Sequence, residues 1–184
     1  MITIIQLANG LGITTSRASV WINVLNDAMN EYEINTSLRI AHFVAQIGHE
    51  SGRFVFMHEL ASGKAYDNRE DLGNTKVEAI AIAKQHNTTT GQLYRGHGLI
   101  QITGYDNHKR CGEALGLDLV NNPHQLEIPK YAALSAAWFW GDHHLNHLAD
   151  NDLLTRITAV INGGANGLAD RRALLESTKK ALGI

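Results

Sequence analysis

From Arg17 to Tyr32 the apolar residues Val20, Trp21, Val24, Leu25, Met29 and Tyr32 return at intervals of three and four. That is the stripe one face of an α-helix presents to a core, and the period of two in a strand does not produce it. The same period recurs over Asn107–Leu115, Tyr131–Leu145, Asp152–Ile161 and Leu168–Leu182. A second early helix carries Ile40, Phe43, Val44 and Ile47; Thr36 or Ser37 is placed to cap it, and it runs into Glu50 before breaking at Gly52. Glu50 is therefore expected in a last helical turn, at a lip of the core. A chain so patterned folds as a mainly α protein.

The segment from Lys64 to Gln101 interrupts the pattern. Tyr66 to Thr75 is polar, Lys76 to His86 reads as a short helix, and Asn87-Thr-Thr-Thr-Gly91 as a turn-rich insertion. A minor β element between Lys64 and Thr103 is expected, as a small hairpin or lobe on a mainly α domain. With 184 residues, no repeat and no linker, the chain reads as one domain, 1–184. Cys111 stands alone, so neither a disulfide framework nor a multi-cysteine zinc site holds the fold.

Charge narrows the function classes. Sixteen Lys plus Arg against eighteen Asp plus Glu give a net charge of −2, without the basic field that nucleic acids need. Ten histidines are the compositional anomaly. No apolar run spans a membrane, and the first basic residue is Arg17, so neither a stable membrane association nor a secretory signal is expected.

Three constellations carry chemistry. Glu50 and Glu59, in His-Glu50-Ser-Gly52 and His-Glu59-Leu60, place one carboxylate at a helix end and another beyond a glycine break. Glycosidic cleavage asks for such a pair, one donating a proton and one receiving it, although most pairs among eighteen acids are merely solvated. Tyr94-Arg-Gly-His-Gly-Leu-Ile-Gln-Ile-Thr-Gly104 alternates Leu99, Ile100 and Ile102 with Gln101 and Thr103, which suits a groove wall or a plain edge strand. Asp142, His143 and His147 offer the spacing of two zinc ligands on one helical face. The basic residues of the last helix, Arg171, Arg172, Lys179 and Lys180, read as the solvated face of a core-closing helix in preference to a membrane-surface one.

Taken together, five segments resemble glycoside hydrolase family 19, in its bacterial and phage lysozyme-like (endolysin) branch. These are Ala41-His-Phe-Val-Ala-Gln-Ile-Gly-His-Glu-Ser-Gly52; Tyr66-x-x-Arg69-x-x-Leu-Gly-Asn-Thr75; Tyr94-x-Gly-x-Gly-Leu-Ile-Gln101-Ile-Thr103-Gly; Ala137-Trp-Phe-Trp140 with Leu145-Asn-x-Leu-Ala-Asp150; and Ile161-Asn162-Gly-Gly-x-Asn-Gly-Leu-x-Asp-Arg171. The resemblance implies that Glu50 is the general acid, Glu59 the general base, and Thr103 a holder of the attacking water. It places Gln101, Asn162, Arg171, Tyr66, Arg69 and His97 among the groove residues, Asn162 and Arg171 either binding sugar or orienting the carboxylates. It also implies a lysozyme-like α+β fold, mainly α, with two lobes and a small β element beside a saccharide cleft, the whole of 1–184 being one catalytic domain without a separate wall-binding module.

The implied function is an inverting peptidoglycan hydrolase that cuts between N-acetylmuramic acid and N-acetylglucosamine and lyses the bacterial wall. Its partner is the glycan strand, it needs no cofactor or metal, and it acts as a monomer. Made in the cytoplasm, it reaches the wall through a holin or a secretion system. Chitinase activity is the sister alternative, and a zinc-dependent wall amidase or peptidase using His143 and His147 is the rival. The sequence departs from the resemblance at His97, where the family usually carries Arg, and at Tyr105 and His108, which replace a frequent Arg and Tyr. His97 in the groove is open to two readings, a residue that makes activity respond to pH near neutrality or a spectator histidine.

Overall fold

The helix expected after Asn35 forms from Ser37 to Glu50 in a computed structural model that describes residues 1–184. Ten α-helices build the fold: α1 (Ile4–Leu11), α2 (Thr15–Glu31), α3 (Ser37–Glu50), α4 (Val77–Gln85), α5 (Thr90–Leu93), α6 (Tyr105–Leu115), α7 (Pro129–Asp142), α8 (Leu145–Asp150), α9 (Leu154–Asn162) and α10 (Leu168–Leu182). Short 3₁₀ turns cover Lys64–Tyr66, Glu70–Leu72 and Pro123–Glu127. No helix is long and apolar enough to cross a membrane.

The third helix is the axis of the larger core. Every residue from Ile40 to Gly48 is buried, so this helix has lost its solvent face over nine positions and is enclosed by α1, α8 and α10. Phe43 meets Trp140 of α7 edge to face at 5.4 Å, the arrangement that ring quadrupoles favour. Each fully buried aliphatic side chain here contributes about 1.5–3 kcal/mol relative to exposure. Thr36 accepts a hydrogen bond from the Arg39 N–H and so satisfies one orphan donor at the entrance to the helix. Arg39 then reaches Asp150 with two bonds of 2.7 Å, tying the start of α3 to the end of α8.

A second, smaller core of Ala79, Ala83, Leu93, Tyr94 and Tyr105 lies apart from the larger one. It joins α4 and α5 to the start of α6 and gives the expected second lobe. The last helix closes the larger core against α1 and α3, with Leu174 and Leu175 buried. Cys111, in α6, is fully buried, and burial pushes its thiol up to about 12.

One helix was not anticipated, and two expectations need correction. The N-terminal segment forms α1, announced by a capping box in which Thr3 and Gln6 satisfy each other's backbone N–H groups. The helix expected over Tyr131–Leu145 ends at Asp142, because His144 takes a left-handed conformation with φ 54° and Asn146 anchors the new helix to the carbonyls of Tyr32 and Glu33. The β element is reduced to two isolated antiparallel bridges, His58 with His97 and His97 with Ile102. Residue 58, the first partner, precedes the expected Lys64–Thr103 range.

Replacing the cap that starts α3 tests how far the local signal matters. Thr36→Ala should lower the unfolding free energy by about 1 kcal/mol, read as a lower urea midpoint at unchanged slope.

Candidate active site

Glu50 is the last residue of α3, and its side chain is 17% exposed. Opposite it stands Arg171 of α10, itself 1% exposed, which donates from Nη2 to Glu50 Oε1 and from Nη1 to Gln46 Oε1. Gln46, one turn before Glu50, passes its amide Nε2–H to Thr158 of α9 at 3.2 Å. A buried guanidinium is costly unless its charge and donors are met, so this chain of contacts fixes where α10 and α9 lie against α3. The same faces are joined at the surface, where His49 Nδ1 and Arg53 meet the Asp170 carboxylate at 2.7 and 3.1 Å. The hydrogen bond from His49, working against burial and helped by Arg53, holds the Asp170 carboxyl below its ordinary value. Gly167 makes this approach possible: with φ 70°, a Cβ there would lie 2.2 Å from His49 Nε2.

After Glu50 the chain reverses through Gly52, Arg53 and Phe54 at φ 56°, 58° and 65°. The left-handed region suits glycine but costs other residues about 1–2 kcal/mol each. Contacts hold the turn. The Ser51 hydroxyl donates to Ile47 O and accepts from Phe54 N, while the Phe54 ring stacks on Trp21 of α2 at 4.9 Å. This turn leads directly into the loop that bears Glu59.

Both oxygens of Glu59 are occupied on that loop. Oε1 accepts the Tyr66 hydroxyl at 3.0 Å and Oε2 the Gly96 N–H at 3.3 Å, while the Glu59 N–H donates to Gly96 O at 2.8 Å. Burial and the adjacent carboxylate raise the Tyr66 phenol above its ordinary value, which keeps it a donor. Asn74, fully buried, was not singled out from the sequence, yet it braces this arrangement. Its amide donates to Tyr66 O and accepts from Tyr105 N, joining the turn at Lys64–Tyr66 to the start of α6. A polar residue inside the Leu-Gly-Asn-Thr segment is the signal that marks it.

Gln101 and Thr103 border a cavity of about 270 Å³ with Ile100, Trp138, Phe139 and Ile161. The Gln101 amide donates to Gly98 O, and the Thr103 hydroxyl donates to Gln101 O at 2.9 Å, leaving the Thr103 oxygen lone pairs free to accept. At Gly96 a Cβ would lie 2.6 Å from Gln101 Oε1, so a larger residue there would displace the Gln101 amide. Asn162 spends both ends of its amide within its own loop, donating to Asn166 O and accepting from Gly164 N. Arg69 pairs with Asp71 at the surface.

His97 departs from its expected place. It is completely buried, so it lines no saccharide groove. Burial, reinforced by His108, His124, Arg95 and His58, pushes its imidazole down to about 2, which removes it as a pH sensor near neutrality. The proposed zinc pair also separates. His143 caps α7 and stacks on Phe139 at 3.9 Å, whereas His147 belongs to α8, and Asp142, His143 and His147 do not converge on a common point.

The profile of glycoside hydrolase family 19, described as chitinase class I, matches residues 27–168. A glycosyl hydrolase family 19 domain-containing protein of Haemophilus influenzae is 28% identical over 71% of this chain and 74% of its own length. The inactive chitinase-like protein 1 of Hevea brasiliensis is 38% identical over 72% of this chain and 49% of its own length. The crystal structure of chitinase C from Streptomyces griseus superposes with a TM-score of 0.76 at 21% identity, over 99% of this chain and 92% of that one.

Two measurements test the site's electrostatics. Arg171→Met leaves the Glu50 carboxylate and Gln46 Oε1 without their partner, and should lower the unfolding free energy by about 3 kcal/mol, read by urea titration. His108 is fully buried, and burial pushes its imidazole down to about 4 from an ordinary 6.5. The unfolded chain binds this proton below pH 6.5 and the folded one does not, so stability falls as pH drops through that window. From pH 7 to pH 5 the loss from His108 should be about 2 kcal/mol, added to that from His97, and the difference between wild type and His108→Gln titrated at both values checks it.

Proposed function

The chain belongs to glycoside hydrolase family 19, and on that premise we propose that it hydrolyses the β-1,4 bond between N-acetylmuramic acid and N-acetylglucosamine in peptidoglycan. The observation that carries the reading is the pair of carboxylates held by different partners. Glu50 is gripped at one oxygen by a buried arginine, and Glu59 at both oxygens by a phenol and a backbone N–H. Hydrolysis needs an acid and a base in fixed places, and these contacts fix them.

In the proposed reaction Glu50 enters protonated. Arg171 occupies Oε1, so the proton is presented from Oε2 to the leaving glycosidic oxygen. Glu59 takes a proton from a water that attacks the anomeric carbon from the opposite face, and the new C–O bond has inverted configuration. Tyr66 and the Gly96 N–H hold Glu59 while leaving a lone pair on each oxygen for that proton. The Thr103 oxygen accepts the water's other hydrogen, and solvent returns both carboxyl groups to their starting states. Arg171 acts as a positioning residue, orienting the acid without touching sugar.

Support for peptidoglycan over chitin comes from the Trp138-Phe139-Trp140 segment and the Leu145–Asp150 motif, which resemble the lysozyme-like branch. Chitin is the second reading, favoured by plant relatives named endochitinases, such as one from Arabidopsis thaliana. A monomer released to the periplasmic wall by a holin or a secretion system fits the first substrate. A relative described as inactive raises the possibility of a silent wall-binding protein, against which the presence of both Glu50 and Glu59 speaks.

Purified peptidoglycan sacculi and chitin oligosaccharides, digested separately and reduced with borohydride, distinguish the readings by mass spectrometry. Reduced N-acetylmuramic acid ends from sacculi are expected, and products from chitin alone would replace the first reading with the second. Glu50→Gln should lower turnover at least 10³-fold and Glu59→Gln at least 10²-fold, both with unchanged circular dichroism. Full activity in Glu50→Gln would end the assignment.

A further inference from the structure

Beside the Glu59 loop, on the side facing the 3₁₀ turn Pro123–Glu127, lies a cluster that the hydrolytic reading does not use. His97 Nε2, His124 Nδ1 and Glu127 each offer a ligand atom, and these atoms all lie within 4.8 Å of one another. Hydrogen bonds around the cluster decide where the protons are. Gly104 O can only accept, so His108 donates to it from Nδ1 at 2.8 Å and keeps its Nε2 unprotonated. That Nε2 lies 3.1 Å from His97 Nδ1, which must therefore carry the hydrogen. His97 is left with a bare lone pair on Nε2, fully buried and without a hydrogen-bond partner.

A carboxylate stands near this lone pair. Glu127 Oε1 lies 3.8 Å from His97 Nε2, too far for a hydrogen bond, so two electron-rich atoms share a gap with no hydrogen between them. The Glu127 oxygens are bonded by His124 at 2.7 Å and His58 at 3.2 Å. A buried lone pair beside a carboxylate is an arrangement that a cation would satisfy.

We propose that His97 Nε2, His124 Nδ1 and Glu127 Oε1 bind one divalent transition-metal ion, with Zn²⁺ the best match to two imidazoles and a carboxylate. Tetrahedral zinc at about 2.0–2.2 Å from each donor sets ligand atoms about 3.3 Å apart. The edges of 2.7 Å (His124 to Glu127) and 3.8 Å (His97 to Glu127) bracket that figure, and the His97 to His124 edge lies within 4.8 Å, so closure needs side-chain adjustment at His124. His124 is 64% exposed and gives an entry path, with water as the fourth ligand. On binding, the His124 proton passes from Nδ1 to Nε2. The outer contacts are already those of a metal site: His108 orients His97, and His58 holds the other Glu127 oxygen at 3.2 Å.

The ion would clamp Gly96–Gly98 to the Pro123–Glu127 turn, and Gly96 supplies the N–H that holds Glu59. The site is independent of which glycan is cut. It also gives His97 and His108, two departures from the family pattern, a shared purpose.

Titration calorimetry of the metal-free full chain with ZnCl₂, with the metal content checked by mass spectrometry after dialysis, tests the proposal. One equivalent of zinc is expected, accompanied by a rise in Tm of several degrees. The double variant His124→Ala/Glu127→Gln should bind at least 100-fold more weakly and lose the Tm shift, while His143→Ala/His147→Ala keeps both. Less than a fifth of an equivalent in the wild type, or equal binding in the first double variant, overturns the site. Should that variant fail to fold, two-bond ¹H–¹⁵N spectra of the wild type read His97 directly. A zinc-induced shift of its Nε2 resonance supports the site, and an unchanged resonance overturns it.

Discussion

The contact between Arg171 and Glu50 organises the molecule more than any other. A guanidinium that is 1% exposed has no water to fall back on, so its two bonded nitrogens, Nη1 and Nη2, restrict the fold while Nε stays buried without a partner. Glu50 and Gln46 are one turn apart on α3, and together they hold α10 in a single register, while Thr158 brings α9 to the same place. Replacing such a network with apolar side chains is often neutral for stability. Its presence here therefore has its clearest explanation in the demands of the carboxylate it orients.

The two glutamates are held by opposite strategies. Glu50 is fixed by a charge from a distant part of the chain, across 121 positions, and Glu59 by neutral donors from its own lobe. An ion pair grips one oxygen and leaves the other available, whereas a phenol and an amide share the load across both. The proposed division of labour, a proton donor and a proton acceptor, asks for different freedoms of this kind.

Much of the fold was legible in the sequence, and what was not has identifiable physical causes. The stripes over α2, α3 and α10 mark elements whose burial pattern is their own. The first helix was overlooked because its signal is the Thr3–Gln6 capping box and not a long stripe. The break at His144 depends on Asn146 reaching the end of α2, a contact between segments more than a hundred residues apart. At the site, the positions of Glu50 and Glu59 at a helix end and on the following loop follow from Gly52. The burial of His97 depends on tertiary partners that no local pattern encodes, whereas the Asn162 amide is used up by the turn of its own loop, two and four residues away. A histidine between two glycines looks like a ligand-facing residue until the third dimension closes over it.

The left-handed run Gly52-Arg53-Phe54 bears on how such an enzyme can be retuned. The direction in which the chain leaves Glu50 is maintained by a ring stacked on Trp21 and by one serine hydroxyl, neither of which has any business with a sugar. The relative placement of Glu50 and Glu59 is therefore inherited in part from packing against α2. Changes at Trp21 or Ser51 would act as a remote adjustment of that spacing, so the two carboxylates can be retuned by side chains that touch neither of them.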